Sequence, residues 1–215
     1  AIPGNPRGYA IDTSGNYGID IPPAERIKLG IPADAHTPLV FAATKLHKAL
    51  AFAIPKGEKL FNTSINAAGV EIVVAANRKN FMLQPIDATI FSFPGSGFVQ
   101  LPHLQHQSVS TKPVPFSKTK AALKADSIED LMRAGLQIFT FSADFNSLGG
   151  DADADATRLV HHAKSPSVML PVLAELIISG KVIWENQARG IASNAKLAKM
   201  MDLKPHQMPQ RQPGM

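Results

Sequence analysis

Asp151, Asp153 and Asp155 alternate with alanines in one short stretch, and His161 and His162 follow shortly after. Closely spaced carboxylates and imidazoles are the ligands of divalent cations, so metal-assisted hydrolysis would be sought here. The three aspartates match the first three ligand positions of a calcium loop. The rest of that loop is missing: Ala156 stands where glycine makes the sharp turn, and His162 where a bidentate glutamate closes the site. Read as a helix, alternate residues lie about 200° apart, which keeps three carboxylates from converging on one ion. An acidic first helical turn, favoured by the macrodipole, is the plainer reading. Asp151, Asp153, Asp155 and His162 thus remain as candidates for a metal-dependent hydrolase.

Other chemistry is sparser. His103 and His106 stand alone on a Pro-flanked stretch, and no H-E-x-x-H spacing occurs. The sequence has neither G-x-S-x-G nor a P-loop, and Gly149-Gly150 leads into three aspartates that would repel a phosphate. With no cysteine, disulfides and thiolate ligands are excluded. No cofactor is expected.

Basic residues point to a second class. Lys112, Lys118, Lys120 and Lys124 lie in a stretch without acids, and Lys196, Lys199, Lys204 and Arg211 lie near the end. Such residues neutralise phosphates without reading bases. One Trp and two Tyr leave few platforms for base stacking, so a nonspecific nucleic-acid-binding protein is the form this reading takes.

Composition favours a third class. Only 18% of residues are charged, below the usual quarter, which suggests surface buried against neighbours. Charge is also segregated: residues 126–180 hold eight acids against three Lys or Arg, while 101–125 hold four lysines and no acid. Opposite patches on like subunits attract, as in head-to-tail docking. Residues 1–36 are rich in Pro and Gly yet carry Ile2, Ile11, Ile19 and Ile21, more aliphatic surface than a solvated linker needs. They read as an arm lying across an apolar surface, with those isoleucines as subunit contacts. The leading expectation is a non-enzymatic structural subunit of a multi-copy assembly such as a virion shell, phage tail or secretion apparatus, placed in a virion or cytoplasmic assembly. Its partners would be copies of itself, other subunits and, in the second reading, nucleic acid. No apolar run approaches the ~18 residues that cross a bilayer.

The elements that would position these residues spell an α+β fold. Residues 1–36 form the arm, 37–204 one α+β domain and 205–215 a tail. Val70 to Ala75 and Ile86 to Phe93 are β-branched or aromatic runs broken by Asn, Gly and Pro, with Asn77-Arg78-Lys79-Asn80 as a turn. They predict an antiparallel sheet within about 59–101, joined by a strand over 136–141. Thr37-Pro38 predicts a helix start, with Leu39, Ala42, Ala43, Leu46, Leu50 and Ala53 on one face. Residues 102–120 read as a long loop. Further helices are expected after Ser127, over 151–164, after Ser165-Pro166 as far as Gly180, and over 191–203. Val182-Ile183-Trp184 is an apolar run of undecided type.

Overall fold

The computed structural model describes residues 7–10, 24, 27, 30, 40–54, 59–65, 68–100, 107–110, 115–142 and 151–203. In chain order the strands are β1 (Arg7–Ala10), β2 (Val40–Ala43), β3 (Lys59–Ile65), β4 (Val70–Ala75), β5 (Ala88–Pro94), β6 (Val99–Gln100), β7 (Gln107–Ser110), β8 (Lys120–Ala125), β9 (Gln137–Phe141) and β10 (Val182–Trp184). The helices are α1 (Leu46–Ala53), α2 (Arg78–Met82), α3 (Ile128–Arg133), α4 (Asp151–His162), α5 (Pro166–Ile178), α6 (Glu185–Ala188) and α7 (Ala195–Met200). The protein is α+β, as expected. Its strands form two sheets among the described residues, and the chain divides into two compact units, residues 1–53 with 88–124 and residues 54–87 with 125–215.

The first unit holds a sheet ordered β6-β7-β2-β1-β5-β8. Strand β1, from the N-terminal segment, lies in its interior. It pairs antiparallel with β2 (Tyr9 opposite Ala43, Ala10 opposite Ala42) and with β5 (Arg7 opposite Pro94, Gly8 opposite Phe93, Tyr9 opposite Ser92). Ala42, Phe93 and Phe98 form a small core with Val40 against it, the two rings 5.0 Å apart.

Two expectations fail here. The helix predicted from Thr37-Pro38 is, over its described part, a strand at 40–43 followed by a helix that begins only at Leu46. The apolar spacing suits a helix, but β2 has partners on both sides, β1 and β7, and those ladders outweigh a weak local preference. The expected loop over 102–120 contains β7 and the start of β8. Gln107-Ser108-Val109-Ser110 offers one large apolar group, so pairing with β2 rather than pattern makes it a strand.

The second unit holds a sheet ordered β10-β9-β4-β3. Strands β3 and β4 form an antiparallel hairpin, β4 and β9 run parallel, and β9 and β10 run antiparallel. Strands do lie within 59–101 and 136–141, at β3, β4, β5, β6 and β9, but they do not share one antiparallel sheet: β5 and β6 belong to the first unit. Ile72 and Val74 of β4, Phe139 and Phe141 of β9, and Val182 and Trp184 of β10 are buried with Leu159 of α4, Met169, Leu173 and Leu176 of α5, and Leu197 of α7. The alternate positions Glu71, Val73, Ala75, Ile138 and Thr140 are buried as well, so both faces are covered. Val70 to Ala75 is apolar at every position but Glu71, as burial on both faces favours.

Helices α3, α4 and α5 start and stop near the predicted points. Ser127 caps α3 in a capping box with Asp130, and Gly135, at φ 111°, follows its end. Asn77 to Asn80 is not a turn between strands. Asn77 caps α2 by accepting from the Asn80 N–H at 3.1 Å, and Phe81 is a buried helical residue. The helix expected over 191–203 is confined to α7, because Asn194 caps its start through the Leu197 N–H.

Candidate functional site

The densest polar cluster among the described residues lies in the second unit, around Glu185. This residue follows β10 and opens α6, and it is fully buried. A buried carboxylate is tolerable only when charge and hydrogen bonds replace water. Arg78, at the start of α2 just beyond β4, supplies both: its Nε lies 2.6 Å from Oε1 and its Nη2 3.3 Å from Oε2. Thr140 of β9 donates its hydroxyl to Oε1 at 2.6 Å. Arg189 approaches Oε2 at 3.5 Å and Glu129 of α3 at 3.9 Å, and Arg133 binds Glu129 at 2.5 Å. The cluster ties α2, α3, α6 and β9 together. Glu185 itself is 0% exposed, and its bonds join α2, β9 and the end of α6.

Next to it, two buried amides do the work of backbone. Asn186 accepts from the Ile138 N–H at 2.9 Å and donates to the Leu136 carbonyl at 2.9 Å, extending the ladder beyond the last residue of β10. Gln137 accepts from the Trp184 indole at 3.1 Å and from the Asn194 N–H at 3.2 Å, and donates to the Gly135 carbonyl at 3.1 Å. A third buried polar group, Glu71 of β4, accepts from Asn62 at 2.7 Å and from the hydroxyl of Ser64, which lies directly opposite on β3.

Sequence reasoning missed Arg78, Thr140, Glu185 and Asn186. Only Glu185 left a trace, an acid directly after the apolar run Val182-Ile183-Trp184. Its partner Arg78 is 107 residues away, a distance no local pattern spans.

The predicted metal ligands are placed on α4. Asp155 is paired with Lys181 at 2.7 Å, and His162 meets the His161 ring edge-on at 4.9 Å. The side chains of Asp151 and Asp153 lie outside the described residues. Among the described residues no group of three or more His, Asp or Glu side chains is gathered to hold a metal ion. Of the basic candidates, Lys118, Lys120 and Lys124 are exposed in the first unit, the last two on β8, an edge strand. Lys196 and Lys199 are exposed on α7 in the second unit. Lys112, Lys204 and Arg211 lie outside the described residues, as do Ile2, Ile11, Ile19 and Ile21 and the tail. No helix among the described residues is long and apolar enough to cross a membrane.

An arm was expected to lie across an apolar surface, its own or a neighbour's. Residues 7–10 lie in a sheet of the same chain, between two strands that would otherwise present unpaired edges to each other.

No protein-family model, curated protein or solved structure matches the chain.

Proposed function

We propose that this chain is a structural subunit of a multi-copy assembly that engages neighbouring subunits through its terminal segments. The observation that carries the reading is the low charged content, 18% of residues against the usual quarter, which suggests surface buried against neighbours. The segregation of acidic and basic stretches supports the same reading. The described part of the N-terminal segment, β1, pairs within its own chain and does not add to it. The test is deletion of residues 1–20 with light scattering on both forms. Loss of the multi-copy species is expected, while the burial of Trp184 in the second unit persists. Equal assembly of the truncated and full-length chains would overturn the reading.

A basic nucleic-acid-binding role is the second reading, favoured by the exposure of Lys118, Lys120, Lys124, Lys196 and Lys199. Its mark is affinity for random-sequence DNA that falls steeply with salt. Absence of binding at low ionic strength would remove it.

A further inference from the structure

We propose that Arg78, Arg133 and Arg189 form a binding site for a phosphate group, with Glu185 as the residue that positions two of them. The inference is independent of the assembly reading, and it uses none of the lysines of the nucleic-acid reading.

The charges of the cluster do not balance. Among the described residues, three guanidiniums share two carboxylates, Glu129 and Glu185, which leaves one positive charge in excess. Burial separates the two signs. Glu185 is fully buried, whereas the side chains of Arg78, Arg189 and Arg133 are 41%, 37% and 65% exposed. An approaching anion therefore meets the arginines and not the buried acid.

Donors are left over as well. A guanidinium carries five N–H donors in a fixed fork. Arg78 turns Nε and Nη2 to Glu185, so its Nη1 takes no part in that pair. Arg133 reaches Glu129 through Nη2 alone. Arg189 stands 3.5 Å from Glu185 and 3.9 Å from Glu129, too far for a strong hydrogen bond to either. Successive contacts run from Arg78 through Glu185, Arg189 and Glu129 to Arg133, which gathers the three forks in one patch.

Phosphate suits this arrangement better than a carboxylate. A phosphate monoester offers three acceptor oxygens and a charge of about −1.5 to −2 at neutral pH, against two oxygens and a single charge. Arginine forks match it in pairs of parallel bonds. The bonds to Glu185 hold Arg78 and Arg189 before any ligand arrives, which lowers the cost of ordering them on binding.

The test unfolds the full chain in urea with inorganic phosphate as the probe, ionic strength being held constant with sodium chloride. Trp184 fluorescence reports the second unit. A ligand of the folded form multiplies the folding equilibrium constant by one plus the ratio of its concentration to Kd. A site of millimolar affinity thus gives about a tenfold gain at 10 mM phosphate. General stabilisation by phosphate acts on every variant alike, so the variants decide. Glu129→Gln removes a competing acid and should tighten phosphate binding about threefold, the worth of an exposed ion pair, although it weakens the cluster itself. Arg133→Gln should weaken binding by about the same factor. A cluster that only braces the fold would lose stability in both variants with no change in the response to phosphate, and that result would overturn the site. A random-sequence single-stranded DNA oligomer then distinguishes the source of the group. A gain with both probes that falls in Arg133→Gln assigns it to a nucleic-acid backbone, and a gain with inorganic phosphate alone assigns it to a small phosphate ester. No gain with either probe would overturn the proposal.

Discussion

Replacing Arg78 by Ala should destabilise the second unit by about 3 kcal/mol, through the carboxylate it abandons rather than the contacts it loses. Removing one partner of a buried ion pair costs about 3–5 kcal/mol. Glu185 is fully buried and would keep only the Thr140 hydroxyl at 2.6 Å and Arg189 at the looser 3.5 Å. The lower end applies because the Arg78 side chain is 41% exposed, so water can enter the space it leaves. A loss of about 3 kcal/mol is more than a hundredfold in the folding equilibrium. With a urea dependence of about 2 kcal/mol/M, it lowers the unfolding midpoint by about 1.5 M. Trp184, the sole tryptophan, is buried beside Glu185 and within the second unit, so its fluorescence follows the relevant transition. The decisive comparison adds Glu185→Gln. In the native background it should cost about 1–3 kcal/mol, because Arg78 loses its counterion. In the Arg78→Ala background it should stabilise by about 1–2 kcal/mol, since a neutral amide replaces a stranded buried charge. If Glu185→Gln had the same effect in both backgrounds to within about 0.5 kcal/mol, the coupling would be absent and the reasoning wrong.

Asn186→Ala should cost about 2–4 kcal/mol, because it leaves the Ile138 N–H and the Leu136 carbonyl buried without partners, and urea unfolding followed by Trp184 measures it. Ser127→Ala should cost about 1 kcal/mol through loss of the α3 cap, read by the same titration. Asp130 is held below the usual carboxylate range first by the Ser127 hydroxyl and then by the Asp126 N–H, with the Ser127 N–H adding to them. The folded state thus binds its proton less tightly than the unfolded state, so its contribution is complete above about pH 4 and disappears as pH falls through the folded value. Stability curves for the native and Ser127→Ala proteins should therefore converge in acid, and a constant gap between them would contradict this. Chelation should leave the unfolding midpoint of the second unit unchanged, since Asp155 is already engaged by Lys181; a rise in the midpoint on adding calcium would revive the metal reading of α4.

What the sequence disclosed follows the range of the forces involved. Ser127, Gly135, Pro166 and Gly180 punctuate helices through contacts within a few residues, and α3 and α5 were legible from them. The run Val70 to Ala75 was legible as a strand because its burial is written into its own residues. Partnership was not legible. Nothing in Gln137 to Phe141 says that it lies parallel to β4, or that residues 88–124 between them belong to another sheet. Val40 to Ala43 misled because its apolar spacing fits a helix, and only the strands on either side decide otherwise. The Glu185 cluster was hidden for the same reason: a buried acid is recognisable only with its arginine, and chain distance conceals the pair.

The proposed role is that of a subunit working in many copies and joined to its neighbours through its terminal segments. Native mass spectrometry of the unaltered full-length chain across a concentration series tests it most directly. The account predicts a multi-copy species whose share grows with concentration and which is lost when residues 1–20 are removed. A single species at 23.0 kDa at every concentration would contradict it.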